Sequence, residues 1–357
     1  MKDKLFIWVY KVFTHFYQSI MWVVYKYKTL KKCKNVKNIS PEYKREIRSF
    51  WKKYCRTSTK DFRWYKTKNN LKDVRLIPDV IFHSKIEPHF NNLKTMDAFS
   101  NKCYYNLLFQ GYKVPYTIAK NINGMLMDDN FKPITLSEVI RLCRREKEVI
   151  IKPSIDSGGG RNITFISMED TDSVRELVKN LKRYKKDFVI QQVITQHEEL
   201  SKLNPSSLNS VRIQSFLYKG QVYILSSFIR VGRSGSRLDN IVQGGVSIAI
   251  KENGDFFLDA YDDGGNKVKN IPSSYAFEGK KMPGFDKMIE QVKSLHPRFA
   301  NFGFIGWDIA VDENADPIFI EFNLIDTCIT YAQLARGPLF QNLTEDVLDE
   351  VFGKKKK

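Results

Sequence analysis

Residues 303–323 read GFIGWDIAVDENADPIFIEFN, and they constrain the chain more than any other stretch. Two apolar runs flank a polar turn at 312–316, the pattern of two strands joined as a hairpin. Asp308 lies on the first run, and Glu321 and Asn323 on the second, all among Ile, Phe, Trp and Ala. Glu321 and Asn323 are two residues apart and share one face, and across the hairpin Asp308 can meet them. Carboxylates are costly to bury, so two side by side need a cation between them or a shared proton. Two carboxylates and an amide oxygen form a hard oxygen set suited to Mg2+ bridging phosphates. The plainer alternative is an exposed hairpin with a polar wet face, and the apolar neighbours argue against it.

Four further stretches carry chemistry in chain order. EVIIKPSIDSGGGRNITFI sets Lys152 at the end of a strand, followed by Ser157, Gly158, Gly159 and Gly160 and a second strand. Glycines let backbone amides approach a phosphate, and the lysine adds a point charge. No G-K-[ST] opens a helix, so this is not a Walker loop, and a plain hairpin remains the alternative. DFVIQQVITQHEEL is a strand that breaks into polar residues, able to offer backbone groups to an adenine edge, with Glu198 beside it for ribose hydroxyls. NPSSLNSVRIQSFL opens a strand with Asn209 and Arg212 near its head, and Arg212 offers a planar fork to phosphate or carboxylate. VGRSGSRLDNIVQGGVSIAI adds Arg233, Arg237, Asp239, Asn240, Gly244 and Gly245, where paired glycines interrupt a strand pattern. Alone, each of these also reads as ordinary strand and loop.

The charge is uneven. The chain of 357 residues has a formal net charge of +18, and residues 1–70 hold 19 Lys and Arg against 4 Asp and Glu. The rest is nearly balanced apart from the terminal KKKK. A nucleic-acid-binding enzyme would carry its basic stripe across the body too, so no nucleic acid is expected. Residues 5–25 are apolar and aromatic, with Lys4, Lys11, His15 and Gln18 on one narrow helical stripe, and a cationic run follows. This suits an anionic membrane surface contacted through residues 1–37, a helix packed on the body or on a twin subunit, or, against Lys11, a span. No small-residue cleavage site follows, which argues against a secretory signal. Five cysteines without a C-x-x-C pair fit a reducing cytoplasm. The five histidines show no metal spacing.

The intervening chain reads as helical over 41–66, then as extended pieces and turns in RLIPDVIFHSKIEPHFNN, where Pro78 and Pro88 interrupt it. MDAFSNKCYYNLLFQGYKVPYT reads as a helix stopped at Gly111. Strands and helices (136–146, 170–184, 284–296) follow, with antiparallel alternation over 210–230 and 241–260.

The order is lysine strand, glycine turn, linker strand, arginine strand, then D-x12-E-x-N. In it, and in IPDVIFHSKIEPHFNN, NKCYYNLLFQGYKVPYT, QHEELSKLNPSSLNSVRI and LDNIVQGG, the chain resembles the ATP-grasp superfamily, and within it the sugar-transfer-associated family, from about residue 75 to 340. The resemblance implies an α+β ATP-grasp fold, with the nucleotide held between two mainly antiparallel lobes and an N-terminal helical extension. Its divisions would be an extension over 1–70, an N-terminal lobe over 71–150, a glycine-loop lobe over 151–200, a metal-hairpin lobe over 201–345 and a basic tail over 346–357. It implies ATP and Mg2+ as cofactors. Lys102, alongside Lys152, would reach the nucleotide phosphates, with Ser157 to Gly160 over them. Gln192, Val193 and Ile194 would contact adenine and Glu198 ribose. Asp308, Glu321 and Asn323 would hold Mg2+. Arg212 would hold the transferring phosphate or acceptor carboxylate, with Asn209, Arg233, Asp239, Asn240, Gly244 and Gly245 on the substrate side. One departure is Gly306, where many ligases of the superfamily have an arginine.

The activity so implied is carboxylate–amine ligation through an acyl-phosphate, on a sugar acid or amino acid used in surface polysaccharide. The partners would be a small-molecule or lipid-linked acid and an amine, and the place the cytoplasm, at the inner face of the membrane. A kinase of the same fold and a membrane-docked binding protein with a vestigial ATP site are the alternatives.

Overall fold

The computed structural model describes residues 2–155, 160–268 and 277–353, and side chains from residue 16 onward. The chain opens with three helices. α1 (Lys2–Lys32) contains neither Gly nor Pro. α2 (Pro41–Lys52) starts where the Ser40 side chain accepts the Tyr43 N–H at 3.2 Å and Pro41 presets the first turn. Its buried residues Tyr43, Ile47 and Trp51 recur every four positions and form one face. α3 (Lys60–Asn69) ends on left-handed Asn70.

Residues 79–90 are continuously helical, where extended pieces were expected. Pro78 is the extended residue before the first turn, so it initiates the helix rather than breaking it. Pro88 is accommodated by a π turn at Phe82–Ile86, in which the Glu87 N–H donates to the Phe82 carbonyl, five residues back. The wider turn shifts the ladder just where Pro88 brings no donor. The helix expected up to Gly111 is three short pieces instead: Met96–Phe99, Lys102–Tyr104 and Tyr105–Leu108.

Two antiparallel sheets follow. The smaller contains β1 (Thr117–Ile122), β2 (Met125–Met127), β3 (Glu148–Pro153), β4 (Thr164–Ser167) and β5 (Phe188–Gln192), in the order β2-β1-β5-β3-β4. A division at 150 therefore runs through β3, and strands from both sides of it share this sheet. The larger contains β6 (Val211–Tyr218), β7 (Gln221–Val231), β8 (Val246–Ile250), β9 (Phe256–Tyr261), β10 (Lys267–Val268), β11 (Phe304–Val311) and β12 (Pro317–Asn323), in the order β10-β9-β8-β7-β6-β11-β12.

The two faces of β6 and β11 explain where the site lies. Val211, Ile213, Trp307 and Ile309 pack on one face with the helix Phe285–Leu295. The other face changes character along its length. Register pairs Phe216 with Phe304, Gln214 with Gly306 and Arg212 with Asp308. The Phe216 and Phe304 rings stack at 4.3 Å and share a core with Tyr43, Trp51 and Phe62 of the N-terminal helices. The extension thus covers the apolar end of this face and leaves its charged end to a cavity.

Candidate active site

The charged row runs across three strands. Arg212 on β6 pairs in register with Asp308 on β11, which pairs with Glu321 on β12. The second pairing depends on a bulge: Ile309 faces Phe319, yet Asp308 faces Glu321, so Ile320 is the extra residue. With regular pairing Asp308 would face Ile320 and Glu321 would turn away. The bulge also lets Phe319 and Phe322, three apart, both enter the core. Asn323 joins from the same strand, its Nδ2 donating to the Gly306 carbonyl at 3.2 Å and reaching Asp308 Oδ2 at 3.5 Å.

Asp308 is buried and gripped by two guanidiniums. Arg212 donates from Nε and, at 2.9 Å, from Nη2, a two-pronged pairing. Arg230 Nη2 approaches from β7 at 3.2 Å. Burial would raise the Asp308 carboxyl, but Arg212 and then Arg230 outweigh it and hold it at about 2. Arg230 also donates to Ser210 Oγ at 2.6 Å and lies 3.6 Å from Asp239. Asp239 in turn accepts the Ser210 N–H and hydroxyl. Burial opposes the charge on Arg230, but Asp239, Asp308 and Glu321 raise its pKa.

The facing wall comes from the smaller sheet and the turn before it. Lys102 Nζ lies 3.0 Å from Glu321 and joins the two walls. Lys152 is held nearby on β3; burial, with the repulsion of Lys102, lowers its ammonium to about 8 against the pull of Glu321. Between the walls is a cavity of ≈ 1110 Å³, lined by both lysines, Gln192, Val193, Ile194, Gly160, Arg212, Arg230, Asp239, Asn240, Asp308, Glu321 and Asn323. Arg237 crosses its rim, donating to both Glu148 oxygens on β3 at 2.8 and 2.7 Å and lying over the Phe165 ring of β4. Next to it, a Cβ on Gly160 would come within 3.1 Å of Leu238.

Several expected residues are elsewhere. Glu198 does not line the cavity: its carboxylate pairs with Lys202 one helical turn on, 83% exposed. Asn209 is buried outside the cavity, where its Nδ2 donates to the carbonyls of Leu200 at 2.8 Å and Asn204 at 2.9 Å and so braces the loop before β6. Arg233, Gly244 and Gly245 also lie off the cavity. Gly244 takes φ +93, and a Cβ on Gly245 would sit 2.7 Å from the Val231 carbonyl oxygen, so these glycines serve backbone packing. Ser157, Gly158 and Gly159 are outside the described residues, as is the KKKK tail.

Arg237, named in the stretch before β8, does line the cavity, and Arg230 completes the site without having been singled out for it. The signal for Arg230 was available: it lies two residues after buried Phe228 on a strand of buried residues, and so on the face of Arg212. Gly306 has a reason too. A Cβ there would meet Arg212 Cδ at 3.4 Å and Thr327 Cγ2 at 3.5 Å, so the side chain of Arg212 lies across the place an arginine at 306 would occupy.

The donors present fit a hard divalent cation. Among the described residues no three His, Cys, Asp or Glu side chains group as a metal site. Asp308, Glu321 and Asn323 instead offer two carboxylates and an amide, of the oxygen chemistry Mg2+ takes.

A family model described as sugar-transfer associated ATP-grasp matches residues 82–348. No curated protein matches the chain. Among solved structures, an L-amino acid ligase from Bacillus licheniformis is 13% identical, with TM-score 0.41, over 72% of this chain and 48% of that one. A biotin carboxylase from Campylobacter jejuni is 12% identical, with TM-score 0.45, over 73% and 48%. N5-carboxyaminoimidazole synthetase from Staphylococcus aureus, complexed with ADP, is 9% identical, with TM-score 0.43, over 75% and 55%. The chain spans about half the length of these solved chains.

Proposed function

The chain belongs to the sugar-transfer associated ATP-grasp family, and from that premise we propose that it is an ATP-dependent carboxylate–amine ligase. The observation that carries the reading is one cavity in which Arg212, Arg230, Lys102 and Lys152 surround Asp308, Glu321 and Asp239. A cation-rich cleft with two carboxylates on one wall suits a triphosphate and its metal.

In this reading ATP lies between the two sheets, its adenine against Gln192 to Ile194 and its phosphates at Lys102 and Lys152. Mg2+, when bound at Asp308, Glu321 and Asn323, would neutralise phosphate oxygens. The substrate carboxylate takes the terminal phosphoryl group, ADP leaves, and an amine then displaces phosphate from the acyl-phosphate to form the amide. Arg212 and Arg230 orient the acceptor carboxylate and the transferring phosphoryl group. Arg237 and Leu238 close the rim and keep water from the acyl-phosphate. Nothing in this route needs a nucleophilic side chain. His296, deep in the core, fits that: burial lowers its pKa to about 4, and Ser215 and the Phe302 carbonyl hold its ring.

We extend the proposal to an acid and an amine used in surface polysaccharide, free or lipid-linked, and to work in the cytoplasm at the membrane's inner face; the sugar-transfer family description and the aromatic, basic N-terminal helix motivate it. The test is calorimetric binding of ATP with and without Mg2+, then ADP release with sugar acids or amino acids alone and with amines added. Release that needs both carboxylate and amine supports ligation. Release with a single acceptor marks a kinase. A folded protein that binds no ATP at any magnesium level overturns the reading.

A further inference from the structure

α1 has two opposite faces. One is docked: Tyr25 and Thr29 are buried, with Met21 and Lys32 partly so. Tyr25 stacks on His83 with ring centroids 3.8 Å apart. Lys32 Nζ reaches Asp79 at 2.6 Å and Asp61 at 3.3 Å and lies 4.4 Å from the centre of the Trp64 ring. These contacts fix the helix to the body along the side that points inward.

The other face is apolar and open. Phe16 is 63% exposed, Val23 59% and Tyr27 69%, with Ile20 and Leu30 also exposed. At about 100° per residue these five fall within roughly 80° of arc, centred opposite Tyr25. Lys26 flanks the stripe on one side, and Lys28 and Lys31 on the other; Trp22 lies beyond Lys26 under a cation–ring contact of 4.4 Å. A helix already docked by its far side cannot cover this stripe by folding onto its own body. No described helix is long and apolar enough to cross a membrane.

We propose that the outer face of α1 is a docking surface for an anionic lipid bilayer. The occupant follows from the chemistry of the face: an apolar stripe with aromatic rings that settles among acyl chains, bordered by lysines that meet anionic headgroups. The helix lies in the plane of the interface. Lys28 also reaches Asp326 at 3.7 Å, and Asp326 lines the cavity. The docking face and an edge of the cavity are thus separated by one helix, about 10–12 Å across. The proposal names the partner surface of the ligase and rests on that reading only for which substrate waits there.

The experiment is co-sedimentation of the full chain with phosphatidylcholine vesicles and with mixed phosphatidylcholine–phosphatidylglycerol vesicles, with Mg-ATP binding measured on the same preparations. Wild type should bind the anionic vesicles, and more weakly as salt rises. The double variant Ile20→Glu, Tyr27→Glu should lose at least about tenfold in vesicle binding while its thermal midpoint and ATP binding stay at the wild-type values. Lys26→Glu with Lys31→Glu should weaken binding and flatten the salt dependence. A folded wild type that ignores both vesicles, or a double variant that binds as well as wild type, overturns the proposal. So does a wild-type dimer that the double variant dissolves, because a second copy then covers the face. Vesicle binding without ATP binding would leave this surface standing and remove the ligase.

Discussion

Two buried ion networks lie on either side of the loop after β12, and they are built to opposite ends. The clasp under α1 holds one cation, Lys32, against Asp61 and Asp79, with Thr330 Oγ1 3.3 Å from Asp79 and the Trp64 and Tyr65 rings over the ammonium. Burial opposes the charge on Lys32, but the two carboxylates raise its pKa well above the usual lysine value. The site opens onto a cavity lined by six Lys and Arg against four Asp and Glu. The clasp joins helix to body with partners wholly from this chain. The site keeps a surplus of positive charge along its cavity, which suits an anion. A closed network is expected to act on stability, and an open one on ligand binding.

Breaking the clasp tests the first half of that contrast and should give the largest effect. Lys32→Met leaves Asp61 and Asp79 buried without their cation, and removal of one partner from a buried pair costs about 3–5 kcal/mol. Chemical denaturation should show that loss, with ATP affinity in the folded fraction unchanged. If affinity falls in step with stability, the two networks are one.

The site should respond the other way. Glu321→Ala removes one carboxylate from beside Asp308 and the partner of Lys102. Turnover should fall about 10²–10³-fold, roughly 3–4 kcal/mol in activation free energy, with a thermal midpoint near wild type. Lys152→Met should be milder, weakening Mg-ATP binding about 10–100-fold, roughly 1.4–2.7 kcal/mol. A midpoint that collapses in Glu321→Ala, with turnover per folded molecule retained, would assign the row to structure and sink the contrast.

How far this contrast could be read in advance depends on the range of the signals. The hairpin was legible because period-two alternation is local, and so were the carboxylates on it. The bulge at Ile320 was not, since it shows only when the partner strand is known, yet it aligns Asp308 with Glu321. Glu198 misled because the sequence does not show that a new helix starts there and brings Lys202 one turn away. Asn209 looked like a site residue beside Arg212, but a buried amide bonded to loop carbonyls is a brace. The clasp was invisible for the opposite reason: Lys32 sits in a run of lysines and its partners lie 29 and 47 positions on. The division expected at 150 falls within β3, and β1 and β5 pair across it, a long-range pairing that local pattern does not show.

The smallest expected effect is also the sharpest, because one group should move binding and stability in opposite directions. Lys152 has a folded pKa lowered to about 8, chiefly by burial, against an ordinary value of 10.5. Between about pH 8 and 10.5 the unfolded chain therefore holds this proton while the folded chain has released it. Stability gains wherever the unfolded state binds more protons, so this group makes the free protein more stable as pH rises through that window. Nucleotide affinity should fall over the same window, because the ammonium facing the phosphates becomes an amine. The fall should be smaller than in Lys152→Met, since a neutral amine still donates hydrogen bonds. Bound phosphates should also pull the pKa up and move the fall to higher pH. Both slopes are read as the difference between wild type and Lys152→Met, which cancels the titration of other groups. If the difference in stability and the difference in affinity run the same way with pH, Lys152 belongs to a closed network like the clasp.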